Sequence, residues 1–285
     1  MNEAARVAIE RALGVAVVQS ERVGGGDIND AYRLTLADGR SAFAKYNSVA
    51  PPQLFEAEAH GLGWLAQAGA LAVPRVLGVG TAPAPFLLLE WVDPGARCRD
   101  FDERLGRGLA ALHRAGAPCF GLERANFIGV LRQDNRSAPS WAAFYGERRL
   151  EPLARLATQR GVADTSLPRA LERLLARLDD LAGPPEPPAR LHGDLWGGNL
   201  HSSAGQPMLI DPAVYGGHRE IDLAMMRLFG GFGERVFAAY EEYFPLAAGA
   251  ADRVPLYQLY PLLVHLCLFG AGYLGQVRRV LERYA

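Results

Sequence analysis

The stretch His192-Gly193-Asp194-Leu195-Trp196-Gly197-Gly198-Asn199 sets an amide five residues after an acid, and the apolar run PMLI beyond it ends in Asp211-Pro212. An Asp, an Asn and a second Asp at a strand end are the groups that phosphoryl transfer needs. That reaction asks for little covalent chemistry, so the protein must orient an alcohol, hold magnesium and neutralise charge on the transferring group. Asp194 would accept the hydroxyl proton and aim the nucleophile. Asn199 and Asp211 would give magnesium the hard oxygen ligands it favours. Positioning of this kind is worth roughly 7–11 kcal/mol in favourable intramolecular cases. Asp, Gly and Asn are also ordinary turn residues, so the weight rests on the whole set and its context rather than on His-Gly-Asp alone.

A lysine and a glutamate in the first half complete the set. In SAFAKY, alternation puts Phe43 and Lys45 on one face of a strand. In LFEAEAHGLGWLAQAG, Leu54, Glu58, Leu62 and Leu65 recur at helical spacing and form one stripe, so Glu58 points inward. A buried glutamate is costly unless a cation meets it, and Lys45 is the obvious one. The pair would leave the ammonium aimed at the α and β phosphates of ATP. Glu56 faces elsewhere and is expected in solvent. Ahead of Lys45 lies Val23-Gly24-Gly25-Gly26-Asp27-Ile28-Asn29-Asp30, which is neither the Walker pattern nor a full GxGxxG. By itself it reads as a hairpin turn. Its place before Lys45 turns Gly24, Gly25 and Gly26 into backbone that approaches nucleotide phosphates.

The elements needed to position these residues fall into two groups. Before residue 93 the signals are strand-like: AYRLTLADGRSAFAKY reads as two alternating runs around Asp38-Gly39, and PFLLLEWV as a buried strand. The helix of Glu58 interrupts them. After Asp93-Pro94-Gly95 come helical runs, including FDERLGRGLAALHRAG, WAAFYGERRLEPLARLATQRG and LPRALERLLARLDDLAG, with GPPEPP at 183–188 as a stiff connector. The expected class is α+β with two lobes. Residues 1–92 form a small antiparallel sheet lobe with one helix that binds nucleotide. Residues 93–285 form a larger, mainly helical lobe for catalysis and substrate. The run Leu87 to Asp93 falls at the hinge, where backbone groups of Glu90 and Val92 would pair with adenine.

Composition narrows the partners. The 285 residues carry 30 Lys plus Arg against 31 Asp plus Glu, with no basic run that would mark a nucleic-acid or lipid surface. Cys98, Cys119 and Cys267 are odd in number and lack CxxC spacing, which argues against a disulfide framework or structural zinc. No window approaches a membrane span and the N-terminus has no apolar leader. A cytoplasmic monomer acting on a small molecule is expected. His113, His201 and His218 have no metal-ligand spacing and read as packing or surface residues.

The ordered set of Gly24 to Gly26, Lys45, Glu58, Glu90 to Asp93, HGDLWGGN and Asp211 resembles the protein-kinase-like superfamily that includes aminoglycoside and choline kinases. Within it the chain is most similar to the fructosamine (ketosamine) kinase family. HGDLWGGN with Trp196 looks like that family's catalytic loop, and GGGDINDAY, NFIG, WAAFYGERRLEPLA, DPAVYGGHREIDLAMM and VPLYQLYPLLVHLCLFG extend the likeness along nearly the whole chain. The resemblance implies a protein-kinase-like fold with ATP and Mg2+ as cofactors. It also implies phosphorylation of ketosamines at the O3 hydroxyl, a step that destabilises the adduct and releases the amine. Small fructosamines and ribulosamines, and those on protein lysines, are the implied substrates. Trp196 would then pack on the sugar or its amine substituent, with core packing as the other reading. Asp222 matches a position that braces the catalytic loop. Asp27 departs from the family, since a carboxylate near phosphates repels them unless it points away. Other outcomes of the same fold are a kinase for an aminoglycoside, choline or a free sugar, and a pseudokinase.

Overall fold

In the computed structural model, residues 1–24, 29–81 and 85–284 are described, so Gly25, Gly26 and Asp27 lie outside the described residues. Helix α1 (Glu3–Leu13) begins where the Asn2 side chain accepts the Ala5 N–H at 2.9 Å and ends at Gly14, whose φ of 67° closes the last turn. After it come β1 (Val17–Val23), β2 (Asp30–Leu36), β3 (Ser41–Tyr46), α2 (Leu54–Ala66), β4 (Val76–Gly80) and β5 (Phe86–Glu90). The five strands make one antiparallel sheet in the order β1-β2-β3-β5-β4. Asp38-Gly39 turns β2 into β3, as its sequence demands. Helix α1 adds a second helix to the one expected in this region.

Alternation sorts the sheet into two faces. Leu34, Leu36, Ala42, Ala44 and Leu88 pack with Ile9 of α1. Leu87 and Leu89, with Phe43 beside them, pack with Leu54, Phe55 and Leu62 of α2. Strand β5 lies inside the sheet and is covered on both faces, which is why it reads as an unbroken apolar run rather than an alternating one.

Beyond β5 the chain is mainly helical: α3 (Phe101–Arg114), β6 (Asn126–Ile128), β7 (Leu131–Gln133), α4 (Trp141–Tyr145), α5 (Glu151–Gln159), α6 (Ser166–Leu175) and α7 (Leu178–Leu181). Then follow β8 (Ala189–Leu191), β9 (Leu200–Ser203), β10 (Gln206–Leu209), β11 (Tyr215–Gly217), α8 (Glu220–Phe229), α9 (Glu234–Tyr243), α10 (Ala250–Phe269) and α11 (Leu274–Tyr284). The short strands pair as β6-β7, β8-β11 and β9-β10. One large core, with Leu105, Leu109, Phe144, Tyr145, Leu195, Tyr215 and Tyr257 at its centre, joins these elements.

The run expected as a single helix from Trp141 is broken. Between α4 and α5, residues 146–150 form a π-helical turn. Pro152 explains it, because proline lacks an N–H and its ring crowds the carbonyl four residues earlier. The turn carries Arg149 inward, where its guanidinium lies 4.0 Å from the Tyr215 ring centroid and donates to Asn135 Oδ1 and the Asp134 carbonyl. Among the described residues no helix is long and apolar enough to cross a membrane.

Candidate active site

Lys45 occupies the penultimate position of β3 on the α2 face, and its Nζ donates to Glu58 Oε1 at 2.7 Å and to Asp211 Oδ1 at 2.5 Å. Burial opposes the ammonium charge, but Asp211 and Glu58 outweigh it and hold Lys45 above the ordinary lysine pKa. Helix α2 can lie this near because Gly61 faces Pro212: a Cβ there would sit 3.3 Å from the proline ring. The same helix thus delivers Glu58 to Lys45 and backs the segment that carries Asp211.

Asp211 follows β10 with φ at 56°, a left-handed conformation uncommon outside glycine and asparagine or aspartate. The Asn199 carbonyl accepts Ile210 N–H at 3.1 Å, so Asp211 and Asn199 are held side by side. Asn199 Nδ2 donates to the Asp194 carbonyl at 2.7 Å and also reaches Asp194 Oδ2 at 3.2 Å. With its NH2 group so engaged, Asn199 keeps Oδ1 for another partner. Together with the second oxygen of Asp211, that is the mixed carboxylate and amide set that suits magnesium, whose remaining sites go to phosphate and water. Among the described residues no group of three or more His, Cys, Asp or Glu is arranged as a metal cage.

Asp194 is half-buried, and burial with the nearby Asp211 charge pushes its pKa up to about 7, against the Asn199 hydrogen bond that opposes the rise. Its loop is fixed from behind. Asp222 on α8 accepts the N–H of His192 at 2.8 Å and of Gly193 at 2.9 Å. Although burial alone would push Asp222 up, its contacts with His113, His192 and Gly193 N–H hold it below the usual carboxylate value. His113 Nε2 stands 3.3 Å from Asp222 Oδ2, and its Nδ1 is 2.8 Å from the Tyr240 hydroxyl. A carboxylate only accepts, so Nε2 of His113 is the donor. Burial keeps His192 below the ordinary histidine pKa; its Nε2 donates to the Ile210 carbonyl, leaving Nδ1 to accept the Asp194 N–H. Gly193, with φ at 83°, has no room for a side chain, since a Cβ would lie 2.1 Å from the Ala213 carbonyl oxygen.

The structure therefore gathers Lys45, Glu58 and Asp211 at one point and Asp194 and Asn199 beside it. The remaining candidates are spread around this group. Glu90 lies three pairs along the sheet from Lys45, opposite Ala42, and exchanges hydrogen bonds with Arg75. Val92 is half-buried in the linker after β5, and Gly24 is exposed beyond β1. Trp196 is 42% exposed, so core packing does not account for it; its indole lies against Gly198. Gly197 next to it touches Gly230, and one residue before Gly230 an aromatic group begins in which Phe229 stacks on His265 at 4.3 Å, with Phe269 and Tyr273 around the imidazole. That group escaped the sequence because Phe229 lies on α8 while His265 and Phe269 lie on α10. The contact of His113 on α3 with Tyr240 on α9 escaped for the same reason, although His113 itself was expected to pack.

A sheet-borne lysine tied to a helix glutamate and to an aspartate 166 residues away, above a loop braced by a second helix, defines a phosphotransferase of the protein-kinase-like fold. An aminoglycoside phosphotransferase solved with ADP and hygromycin B shares that fold, with a TM-score of 0.65 at 17% identity over 98% of each chain. The fructosamine kinase family profile matches residues 1–285, and the chain belongs to this family. A protein of Thermobifida fusca assigned as a fructosamine-3-kinase superposes with a TM-score of 0.90 at 42% identity, covering 98% of this chain and 97% of that one. An Enterococcus faecium protein named "Probable ketoamine kinase" is 39% identical over 91% of this chain and 93% of its own. The family and fold expected from the sequence are both met.

Proposed function

We propose that the chain is an ATP-dependent ketosamine 3-kinase in which residues 1–92 bind nucleotide and residues 93–285 bind the sugar and carry out transfer. The observation that carries this is the double contact of Lys45 with Glu58 and Asp211, made beside Asp194 and Asn199. Lys45 would hold the α and β phosphates once nucleotide draws its ammonium from Asp211. Asp194, poised near neutrality, would accept the proton of the sugar O3 hydroxyl and point its oxygen at the γ-phosphorus. Asn199 and Asp211 would hold magnesium, which supplies charge neutralisation on the transferring group. Backbone groups of Glu90 and Val92 would pair with adenine, and Gly24 to Gly26 would cover the phosphates.

For substrate, the exposed indole of Trp196 supports a ketosamine whose sugar or amine substituent packs on it, with small fructosamines and ribulosamines first and adducts on protein lysines beyond them. ADP release should be followed with ATP and a fructosamine, a ribulosamine, choline or kanamycin in turn. Turnover with the two ketosamines is expected. Turnover confined to choline or kanamycin sinks the proposal.

A further inference from the structure

The segment that carries Asp211 is gripped by buried side chains to which the machinery above gives no role. Residues 211–214 belong to no strand, and Asp211 itself sits at a φ of 56°. On the catalytic-loop side the segment is tied by the Ala213 N–H, which donates to the His192 carbonyl at 2.9 Å. On another side it meets the β6-β7 hairpin. There Asn126 Nδ2 donates to the Val214 carbonyl at 2.7 Å, and Gln133 Nε2 donates to the Ala213 carbonyl at 3.3 Å. Asn126 and Gln133 face each other across the hairpin, so both grips come from one pair.

The two amides belong to a longer chain of hydrogen bonds. Asn126 Oδ1 accepts from Gln133 Nε2 at 2.9 Å and from Asn135 Nδ2 at 2.7 Å. Gln133 Oε1 accepts the Tyr260 hydroxyl of α10, and Asn135 Oδ1 accepts from Arg149 at 2.6 Å. Both ends dictate the direction of the chain. A guanidinium only donates, so Asn135 turns its oxygen to Arg149 and its nitrogen to Asn126. Backbone carbonyls only accept, which fixes the nitrogens of Asn126 and Gln133 on Val214 and Ala213. None of the three amides is more than 4% exposed, and Arg149 is 1% exposed. Burying so many polar groups costs desolvation that leucines would avoid, whereas a fully satisfied buried network imposes one arrangement on the chain around it. The arrangement imposed here is the path of the two residues that follow Asp211-Pro212.

We propose that Asn126 and Gln133, anchored by Arg149 through Asn135 and by Tyr260, are positioning residues that set the Asp211 carboxylate for magnesium on the bound nucleotide. The inference rests on the metal-binding role given to Asp211 under the proposed function, and it adds what aims that carboxylate. It also gives the π-helical turn at 146–150 a purpose, since the turn brings Arg149 to the far end of the chain. Groups that orient a metal ligand from behind typically weaken metal affinity about 10–100-fold when removed.

Calorimetric titration of the full-length chain with ATP, in the presence and in the absence of Mg2+, measures how much the metal adds to nucleotide affinity. In Asn126→Leu and Gln133→Met that gain should shrink about tenfold, while affinity for metal-free ATP stays within about twofold of the parent chain. Tyr260→Phe removes one hydroxyl, frees Gln133 to turn and should cut the gain about threefold. It decides the matter if the larger changes fail to fold. Tyr257→Phe, one turn earlier on α10, is the control for a purely structural effect: it loses bonds to Trp141 and the Ala182 carbonyl but none in the network, and should keep the full gain. A gain unchanged in the folded variants of Asn126, Gln133 and Tyr260 overturns the inference. An equal loss of affinity with and without Mg2+, or a loss in Tyr257→Phe as large as in Tyr260→Phe, overturns it too. If the unsubstituted chain shows no gain from Mg2+, the metal role of Asp211 falls instead, and that control tells the two failures apart.

Discussion

Lys45 Nζ touches Asp211 Oδ1 at 2.5 Å and Glu58 Oε1 at 2.7 Å, so one ammonium ties the sheet to the helix above it and to the loop after β10. The Lys45 side chain is 10% exposed and that of Glu58 13%, so water screens the pair little. A charge left alone in such a place is expensive, and removing one partner of a buried pair costs about 3–5 kcal/mol. Lys45→Met should therefore lower unfolding free energy by about that amount, since two carboxylates then face each other without a cation. Adding Glu58→Gln should return part of the loss. Urea denaturation of the two single variants and the double variant gives the coupling; additive effects would show that the contact is not energetically real.

Asp194 predicts a pH profile. A base must be ionised to accept a proton, and its pKa of about 7 places the protonated, inactive form below neutrality. With a ketosamine substrate, kcat/KM should rise tenfold per pH unit up to about pH 7 and then level off. Asp194→Ala should reduce kcat by about 10²–10⁴ while ATP affinity stays near that of the parent chain. Turnover that survives the substitution refutes the role.

Much of this was legible because chemistry imposes spacing. Glu58 could be assigned to Lys45 since a glutamate on an apolar stripe requires a cation, and the alternation of β3 offered only one. Asp194, Asn199 and Asp211 share a short span and a strand end. What stayed hidden depends on tertiary packing. His113 and Tyr240 look like ordinary helical residues until α3 and α9 are laid side by side. The π-turn at 146–150 follows from Pro152 only once the carbonyl it crowds is known to be in a helix. Helix α1 lies outside the elements that strand alternation marks before residue 93, although Asn2 and Gly14 are sound helix caps.

The brace behind the catalytic loop gives a third test. Asp222 is 1% exposed and accepts two backbone N–H groups that have no other partner among the described residues. Asp222→Ala would leave both donors unsatisfied, at about 1–3 kcal/mol each, and would free the loop that aims Asp194. The expected outcome is a loss of stability of about 2–6 kcal/mol together with a fall in kcat larger than any change in the KM for ATP. Asp222→Asn retains one acceptor and should recover about half of the stability. A kcat unaffected by either change would reduce Asp222 to a packing residue.

The raised pKa of Asp194 also has a cost in folding, and its sign can be worked out. An aspartate titrates near 3.9 in the unfolded chain but near 7 here, so the folded state holds the proton more tightly. The stabilising contribution is complete below about pH 4 and is lost as pH rises through 7, which means that ionised Asp194 weakens the fold at the pH where the base works. Full linkage across that gap would amount to about 4 kcal/mol, and solvent access to the half-buried carboxylate reduces it to about 1–2. Asp194→Asn should accordingly raise the melting temperature at pH 8 and leave it nearly unchanged at pH 4, where the parent residue is already neutral. An equal shift at both pH values would mean that the gain comes from packing and that Asp194 does not titrate near neutrality.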